Sequence, residues 1–206
     1  MFDSDLDRTN SLRSSKFSRR MFLATSASAL AGIALWFVRR PRAVQATSSS
    51  GSPQEVDIVQ FSDAGQRLGR ASVSKVVKTD VEWRQQLSAN AFDITRHADT
   101  EMAFTGKYWN LHEKGLYRCL CCDNALFSSE TKFDSGTGWP SFWDAIAPQN
   151  VQTIADSSYF MARTAVSCTE CDAHLGHVFD DGPAPTHLRY CMNSASLRFI
   201  KQAERG

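Results

Sequence analysis

The carboxyl-terminal half of the chain is built from short segments in which apolar and polar side chains alternate. After Gly115 such segments recur between residues that favour turns. A period of two residues is typical of strands that bury one face, and close spacing favours antiparallel pairing. The pattern predicts strands at Leu116 to Cys119, Tyr159 to Val166, Leu188 to Met192 and Leu197 to Ile200.

One short helix is predicted ahead of these strands. Trp83 and Leu87 lie one helical turn apart. Thr79 and Glu82 have the spacing of a capping box, in which each side chain bonds the backbone N–H of the other residue. Together these signals predict a helix over residues 80–87.

The amino terminus has the pattern of an export signal. Arg19 and Arg20 directly precede an apolar run from Met21 to Val38, which is the layout of a twin-arginine signal. Small residues at 44 and 46 fit the positions that a signal peptidase reads. We therefore expect residues 1–46 to be a twin-arginine signal and the protein to reach the periplasm.

A membrane anchor is the alternative for the same segment. About 18 apolar residues are just enough to cross a bilayer. Arg39, Arg40 and Arg42 follow the run, which is unusual for a cleaved signal. The apolar run also contains many Ala, Ser and Thr residues, which are weakly hydrophobic for a permanent span. An uncleaved signal would leave the protein attached to the membrane.

Residues 47–77 are predicted to be a linker with at most one short ordered stretch. Up to about Ser74 this region is rich in Ser, Gly, Gln and Asp and has few large apolar side chains. A folded domain is then expected over residues 78–202.

Composition and charge narrow the class of protein. With 206 residues, 42% of them hydrophobic, the chain can form a globular domain. Residues 1–46 carry eight basic and three acidic side chains, and the remainder carries 15 basic and 19 acidic ones. A folded part with net negative charge argues against nucleic acid as its main partner.

Four cysteines have the spacing of a metal site. Cys119 and Cys122 form one C-x-x-C pair, and Cys168 and Cys171 form another. Two such pairs are the usual way to present four thiolates to one tetrahedral Zn²⁺. The pattern predicts one structural zinc per chain, with no coordination position left for catalysis. Two disulfides or two redox-active dithiols are the alternatives.

Cys191 is a candidate nucleophile because His174 and His177 lie upstream of it and an imidazole can stabilise a thiolate or pass on its proton. A His-x-x-His pair can equally bind metal or stabilise a turn. Cys121 lies between two proposed ligands, where it is either a bystander or a redox partner.

Three motifs resemble a known family. GTGWPSF (136–142), HLGHVFDDGP (174–183) and RYCMNSASLRF (189–199), together with the two C-x-x-C pairs, are similar to the peptide methionine (R)-sulfoxide reductases, MsrB. The resemblance runs from about Lys78 to Lys201. It implies a mainly β fold of two antiparallel sheets with a few short helices, and a structural zinc away from the active site.

The resemblance also implies roles for individual residues. They comprise a nucleophile (Cys191), a polar catalytic surround (His174, His177 and Asn193), an aromatic wall for the substrate methyl group (Trp139 and Phe142) and an orienting acid (Asp181). Each surrounding residue has a structural alternative: core packing for the aromatic residues, a satisfied buried amide for Asn193 and a turn for Asp181.

The implied activity is thiol-dependent reduction of methionine (R)-sulfoxide in oxidised peptides and proteins, which repairs them after oxidative stress. Cys191 would end as a sulfenic acid, with proton donation from His177, helped by His174, as the larger catalytic effect. Many members carry a resolving cysteine where this chain has Thr137. Recycling must then use an external thiol, thioredoxin-like or small, or Cys121.

Two other classes of function fit the residues alone. A zinc-dependent binding module without catalysis is one, since related β folds need not be enzymes. A thiol peroxidase or disulfide oxidoreductase that uses Cys191 is the other.

Overall fold

The computed structural model describes residues 54–156 and 163–202. The predicted signal or anchor (1–46) and residues 159–162 of one predicted strand lie outside the described residues. Within the described ranges, no helix is both long enough and apolar enough to span a membrane.

Residues 55–74, predicted to belong to a linker, form an antiparallel hairpin instead. Its strands are β1 (Glu55–Phe61) and β2 (Arg67–Ser74). The hairpin is held by the buried Asn150, whose Oδ1 accepts from the Val59 N–H at 2.7 Å and whose Nδ2 donates to the Val59 carbonyl at 2.8 Å. Because this anchor lies 91 residues away, the local composition could not reveal it.

The capping box and its helix are confirmed. Helix α1 spans Asp80–Gln86, and its first turn is closed by reciprocal bonds between Thr79 and Glu82. The helix buries Trp83 against the core. A second helix, α2 (Ala89–His97), follows at once, with the Ser88 hydroxyl as its N-cap.

The described strands form three antiparallel sheets, so the prediction of a mainly β fold with a few short helices is confirmed. The smallest sheet is the β1–β2 hairpin, which adds to the two sheets expected. A three-stranded sheet has the order β11-β3-β4. Its strands are β3 (Gly115–Cys119), β4 (Ala125–Ser128) and β11 (Leu197–Lys201).

A six-stranded sheet of order β5-β6-β10-β9-β8-β7 carries most of the predicted site residues. Its strands are β5 (Lys132–Phe133), β6 (Ser141–Phe142), β7 (Val151–Asp156), β8 (Arg163–Cys168), β9 (His174–Phe179) and β10 (Arg189–Met192). The strand predictions for residues 116–119, 188–192 and 197–200 match β3, β10 and β11. The described part of the fourth prediction lies in β8.

Aromatic side chains fill the core, and Phe142 belongs to them. Its ring stacks on Phe127 with centroids 4.5 Å apart and meets Tyr117 edge-on at 4.9 Å. Phe142 is 0% exposed. This packing matches the structural alternative of a core residue more closely than a place in the substrate pocket, and it puts Phe142 on the face of β6 opposite Ser141.

Candidate functional site

Cys191 lies in the middle of the six-stranded sheet, between two strands that supply its neighbours. In the strand register it is paired with His177 of β9 and with Ser141 of β6. Residues directly opposite each other point to the same face, with Cβ atoms about 4.5–5.5 Å apart. The fold thus brings the predicted sulfur and one predicted imidazole together.

Burial has the largest influence on the pKa of the Cys191 thiol. Desolvation raises the pKa of the thiol, and a hydrogen bond from Thr137, the charge of Arg189 and a hydrogen bond from Ser141 oppose that rise. Because the pKa remains above its ordinary value, the sulfur carries its proton at neutral pH. An attack by this sulfur therefore needs a group that takes the proton away.

Asp181 does not reach a histidine. Its two carboxylate oxygens bind the guanidinium of Arg189, at 2.8 Å from Nε and 2.9 Å from Nη2. The same guanidinium lies 4.4 Å from the centre of the Phe179 ring. Asp181 therefore orients a cation beside Cys191, and the expected place next to the imidazoles is taken by another carboxylate.

That carboxylate is Asp156, at the end of β7. Nε2 of His177 lies 2.9 Å from its Oδ2. Since a carboxylate only accepts, Nε2 carries a hydrogen in this contact. Arg163 also contacts the same oxygen, at 3.2 Å. The contact fixes the orientation of the His177 ring, and in the neutral imidazole it leaves Nδ1 as the nitrogen that can accept a proton.

His174 has a different environment from His177. It is 6% exposed, and its Nε2 has no hydrogen-bond partner among the described residues. Desolvation lowers its pKa to about 4, and the nearby charge of His177 acts in the same direction. His174 is therefore neutral at pH 7, with its ring centre 5.3 Å from that of His177. Of the two imidazoles, His177 is the one that contacts a carboxylate.

Asn193 and Trp139 are linked through Glu101. The Asn193 side chain accepts from the Glu101 N–H at 3.0 Å and donates to the Leu175 carbonyl at 3.2 Å. Trp139 Nε1 donates to the Glu101 carbonyl at 3.1 Å. Asn193 is thus a buried amide with its hydrogen bonds satisfied. It holds the Glu101 backbone, to which the partly buried indole of Trp139 is hydrogen-bonded.

Glu101 itself is buried and was not singled out by the sequence. Its carboxylate accepts from the backbone N–H groups of Ser194 at 2.6 Å and Ala195 at 3.0 Å. These are the first residues of the short 3₁₀ helix that follows β10. Glu101 therefore anchors the end of the nucleophile's strand.

Both histidines open onto a cleft. It has a volume of about 950 Å³ and is bordered by Asp156, Arg163 and Ile154 among others. Ile154 is 58% exposed. A space of this size on the imidazole side of the sheet can admit a side chain of a polypeptide.

The four paired cysteines form one compact cluster. Their Sγ atoms all lie within 4.8 Å of one another, with Cys119 to Cys171 at 3.6 Å and Cys122 to Cys168 at 3.5 Å. A tetrahedral metal at about 2.3 Å from each sulfur sets sulfurs about 3.8 Å apart. All four are free cysteines, so the alternative of two disulfides is absent in this structure. The cluster can hold a metal ion.

The two C-x-x-C pairs are folded by the same turn. Each second cysteine is followed by an aspartate with a left-handed backbone, Asp123 at φ 71° and Asp172 at φ 56°. Each aspartate N–H donates to the carbonyl of the first cysteine of its pair, at 3.0 and 2.9 Å. This repeated turn directs both sulfurs of a pair inward, as a metal knuckle requires.

Cys121 lies against the cysteine cluster, beside Cys119 and Cys171, and not at the site of Cys191. It is 5% exposed, next to Cys119 at the end of β3. Cys191 is in the other large sheet, where its neighbours are Thr137 and Ser141. Nothing in this arrangement gives Cys121 access to the nucleophile.

The sequence missed Asp156, Arg189 and Glu101 as site residues. Arg189 had a usable signal, since residues two apart on a strand share a face and it precedes Cys191 by two. Asp156 and Glu101 had no such signal in the sequence, because each contacts a residue at least 21 positions away that only the fold brings near.

Comparisons with known proteins give one family. The chain matches the SelR domain family over residues 87–201. A protein named peptide methionine sulfoxide reductase MsrB, from Herminiimonas arsenicoxydans, is 60% identical over 125 residues, which make up 61% of this chain and 91% of that protein. Its namesake from Synechococcus sp. (strain RCC307) is 56% identical over 132 residues, 64% of this chain and 97% of the relative. Peptide methionine sulfoxide reductase B1, chloroplastic, from Oryza sativa subsp. japonica is 59% identical over 124 residues, 60% of this chain and 58% of that protein.

Proposed function

The chain belongs to the SelR domain family, and from this membership we propose that it is an oxidoreductase that reduces methionine (R)-sulfoxide in peptides and proteins to methionine. The observation that carries the proposal is the pairing of Cys191 with His177 on adjacent strands. This pairing gives one sulfur a proton carrier at the same face of the sheet. Its biological role would be the repair of oxidised proteins.

The reaction balances between two sulfurs. The Cys191 sulfur attacks the sulfoxide sulfur, the S–O bond of the substrate breaks, and the oxygen ends on Cys191 as a sulfenic acid, S–OH. The substrate sulfur gains two electrons, and Cys191 loses two. The thiol proton ends on the transferred oxygen, so no outside proton is consumed in this half of the cycle.

His177 is proposed to move that proton. Because the Cys191 pKa is raised, the imidazole first accepts the thiol proton and then donates it to the sulfoxide oxygen. A lowered thiol pKa would gain little in any case, since a less basic thiolate is also a weaker nucleophile. Proton transfer by a positioned group supplies about 10² to 10⁴ in rate. Neutral His174 would help by accepting a hydrogen bond or by shaping the site.

Asn193 and Asp181 are proposed to act by positioning. Asn193 holds the Glu101 backbone to which Trp139 is bonded, so that the indole can receive the substrate's methyl group. Asp181 holds the Arg189 guanidinium, whose positive charge favours an anionic sulfur. Neither residue has to touch the substrate.

Recycling is proposed to use an external thiol, thioredoxin-like or small. Thr137 cannot form a disulfide, and Cys121 lies against the cysteine cluster, 5% exposed. We expect Cys121→Ser to sustain many turnovers with a small dithiol. A halt of this variant after one turnover would instead identify Cys121 as the resolving cysteine.

Zinc is the proposed occupant of the cysteine cluster, one ion per chain. Four thiolates at tetrahedral spacing fit Zn²⁺ and leave no open position, so the ion would stabilise the fold and take no part in the reaction. Folding and metal loading in the reducing cytosol would precede twin-arginine export to the periplasm, which we propose from residues 1–46 of the sequence.

The function is tested with both sulfoxide epimers of a methionine-containing peptide and dithiothreitol as reductant. We expect methionine from the R epimer alone, and none from Cys191→Ser. Hydrogen peroxide is offered in parallel, because consumption of peroxide without sulfoxide reduction would support a thiol peroxidase. Activity of Cys191→Ser equal to that of the wild type would refute the proposal.

A further inference from the structure

Two hydroxyl groups lie next to Cys191, on the side of the strand opposite His177, and a third contacts both of them. Ser135 Oγ is 2.8 Å from Thr137 Oγ1 and 2.7 Å from Ser141 Oγ. Thr137 Oγ1 in turn is 3.9 Å from Cys191 Sγ. Ser141 is 0% exposed and is the cross-strand partner of Cys191. We call Ser135, Thr137 and Ser141 the hydroxyl cluster.

The hydrogens of the cluster can be arranged so that Thr137 donates to the sulfur. Each hydroxyl has one hydrogen to donate. When Ser135 donates to Thr137, the Thr137 hydrogen can point at Cys191. A distance of 3.9 Å is long for a bond to a neutral sulfur. Hydrogen bonds to an ionised acceptor are shorter and about twice as strong. The cluster therefore favours the charged state of the sulfur over the neutral one.

We propose that the hydroxyl cluster stabilises Cys191 as a thiolate in both halves of the catalytic cycle, with Thr137 donating to the sulfur and Ser135 positioning Thr137. This inference rests on the proposed function, which makes Cys191 the reacting sulfur. In the first half, the sulfur develops negative charge as its proton passes to His177.

The second half depends on Cys191 as a leaving group. An external thiol attacks the sulfenic acid, an S–S bond forms, and the oxygen leaves as water. A second external thiol then attacks the external sulfur of this mixed disulfide, so the external thiols are oxidised to a disulfide and Cys191 leaves as a thiolate. A more stable thiolate leaves faster. Thr137 thus serves a recycling route that needs no second cysteine of the chain.

The ionisable neighbours of Cys191 lie elsewhere. Arg189, two residues earlier on β10, is held by Asp181. His177 is on β9 and is held by Asp156, with His174 behind it. Substitutions in the hydroxyl cluster leave all of these groups in place, so a change in Cys191 can be assigned to the hydroxyls.

The test is the pH dependence of Cys191 alkylation by iodoacetamide, followed by mass spectrometry of the peptide that contains Cys191. Thr137→Val removes the hydroxyl with little change in shape, and Thr137→Ser keeps it. At pH 7 we expect alkylation of Thr137→Val to be about three- to tenfold slower, with its profile displaced to higher pH, because a hydrogen bond to a charge is lost. Thr137→Ser should stay close to the wild type. Identical profiles for Thr137→Val and wild type would overturn the proposal.

Ser135→Ala is the second variant, because Ser135 contacts Cys191 through its neighbours alone. We expect a smaller displacement in the same direction, since Thr137 is then less well oriented. Bound zinc and near-ultraviolet circular dichroism check that each variant is folded. Alkylation needs no sulfoxide, so failure of the proposed function would appear in the Cys191→Ser assay and failure of this inference in the alkylation profiles.

Discussion

The carboxylate of Asp156 lies 2.9 Å from Nε2 of His177, although the two residues are on strands separated by β8. This contact reaches across the sheet to fix one ring nitrogen of the imidazole that faces Cys191. It replaces the expected partner, Asp181, whose carboxylate is bound to Arg189. The orientation of the proposed proton carrier, His177, thus depends on a residue outside the three motifs.

Asp156→Asn should lower kcat about 10- to 100-fold with little change in KM, because the charge that strengthens the hydrogen bond to His177 is removed while substrate contacts remain. The measurement is steady-state reduction of a sulfoxide peptide. Asp181→Asn is the matched control, and we expect it to lose less. An equal or greater loss in the control would contradict this prediction, because Asp181, through Arg189, would then contribute at least as much as Asp156.

His177→Ala should lose about 10² to 10⁴ in rate and still fold and bind its metal, because proton transfer is removed without touching the cysteine cluster. His112→Ala serves as the control, since this histidine is exposed and its ring bonds Asn110. Turnover of His177→Ala near the wild-type value would contradict the assignment of the proton carrier.

His174 should make the fold less stable in mild acid. Its pKa is about 4 in the folded state against 6.5 for the ordinary group, so the unfolded chain binds the proton first as the pH falls. The neutral form's contribution is complete above about pH 6.5 and is lost progressively toward pH 4. We expect the free energy of unfolding to fall by about 2 kcal/mol between pH 7 and pH 5 from this group.

Urea unfolding at the two pH values measures this loss. His174→Gln, which does not titrate, should show a correspondingly weaker pH dependence, and comparison with the wild type cancels the contributions of all other groups. The same dependence in both proteins would contradict the burial of a neutral His174.

Removing the proposed zinc ion should unfold the domain. Structural zinc contributes on the order of 10 kcal/mol, which is comparable to the whole stability of a domain. Cys168→Ser, or a strong chelator, should abolish the near-ultraviolet circular dichroism. Cys191→Ser should keep one zinc per chain and its fold. A folded, fully active Cys168→Ser protein would contradict a structural role for the cluster.

The sequence was most informative where a signal was local. The Thr79–Glu82 capping box predicted α1, and two C-x-x-C pairs predicted a cluster although 45 residues separate them. The capping box and each C-x-x-C pair are complete within four residues, and only the meeting of the two pairs depends on the fold. The β1–β2 hairpin was missed because its polar sequence is held by Asn150, far along the chain.

Within the site, the sequence identified residue types better than their contacts. Cys191 and His177 meet because β9 and β10 are adjacent in register. Phe142 and Ser141 are both fully buried, on opposite faces of β6, and a motif alone does not reveal which of the two faces meets the aromatic core. Strand order decides that Asp156 contacts His177 and that Asp181 contacts Arg189. The sequence alone could not show which of the two carboxylates lies next to the histidine.

The central claim is tested most directly by a single turnover without reductant. The metal-loaded protein is mixed with an R-sulfoxide peptide, and dimedone is added to trap sulfenic acid. The account predicts about one methionine per chain and one adduct, at Cys191. Methionine formed without any modification of Cys191, or an adduct on another cysteine, would contradict it.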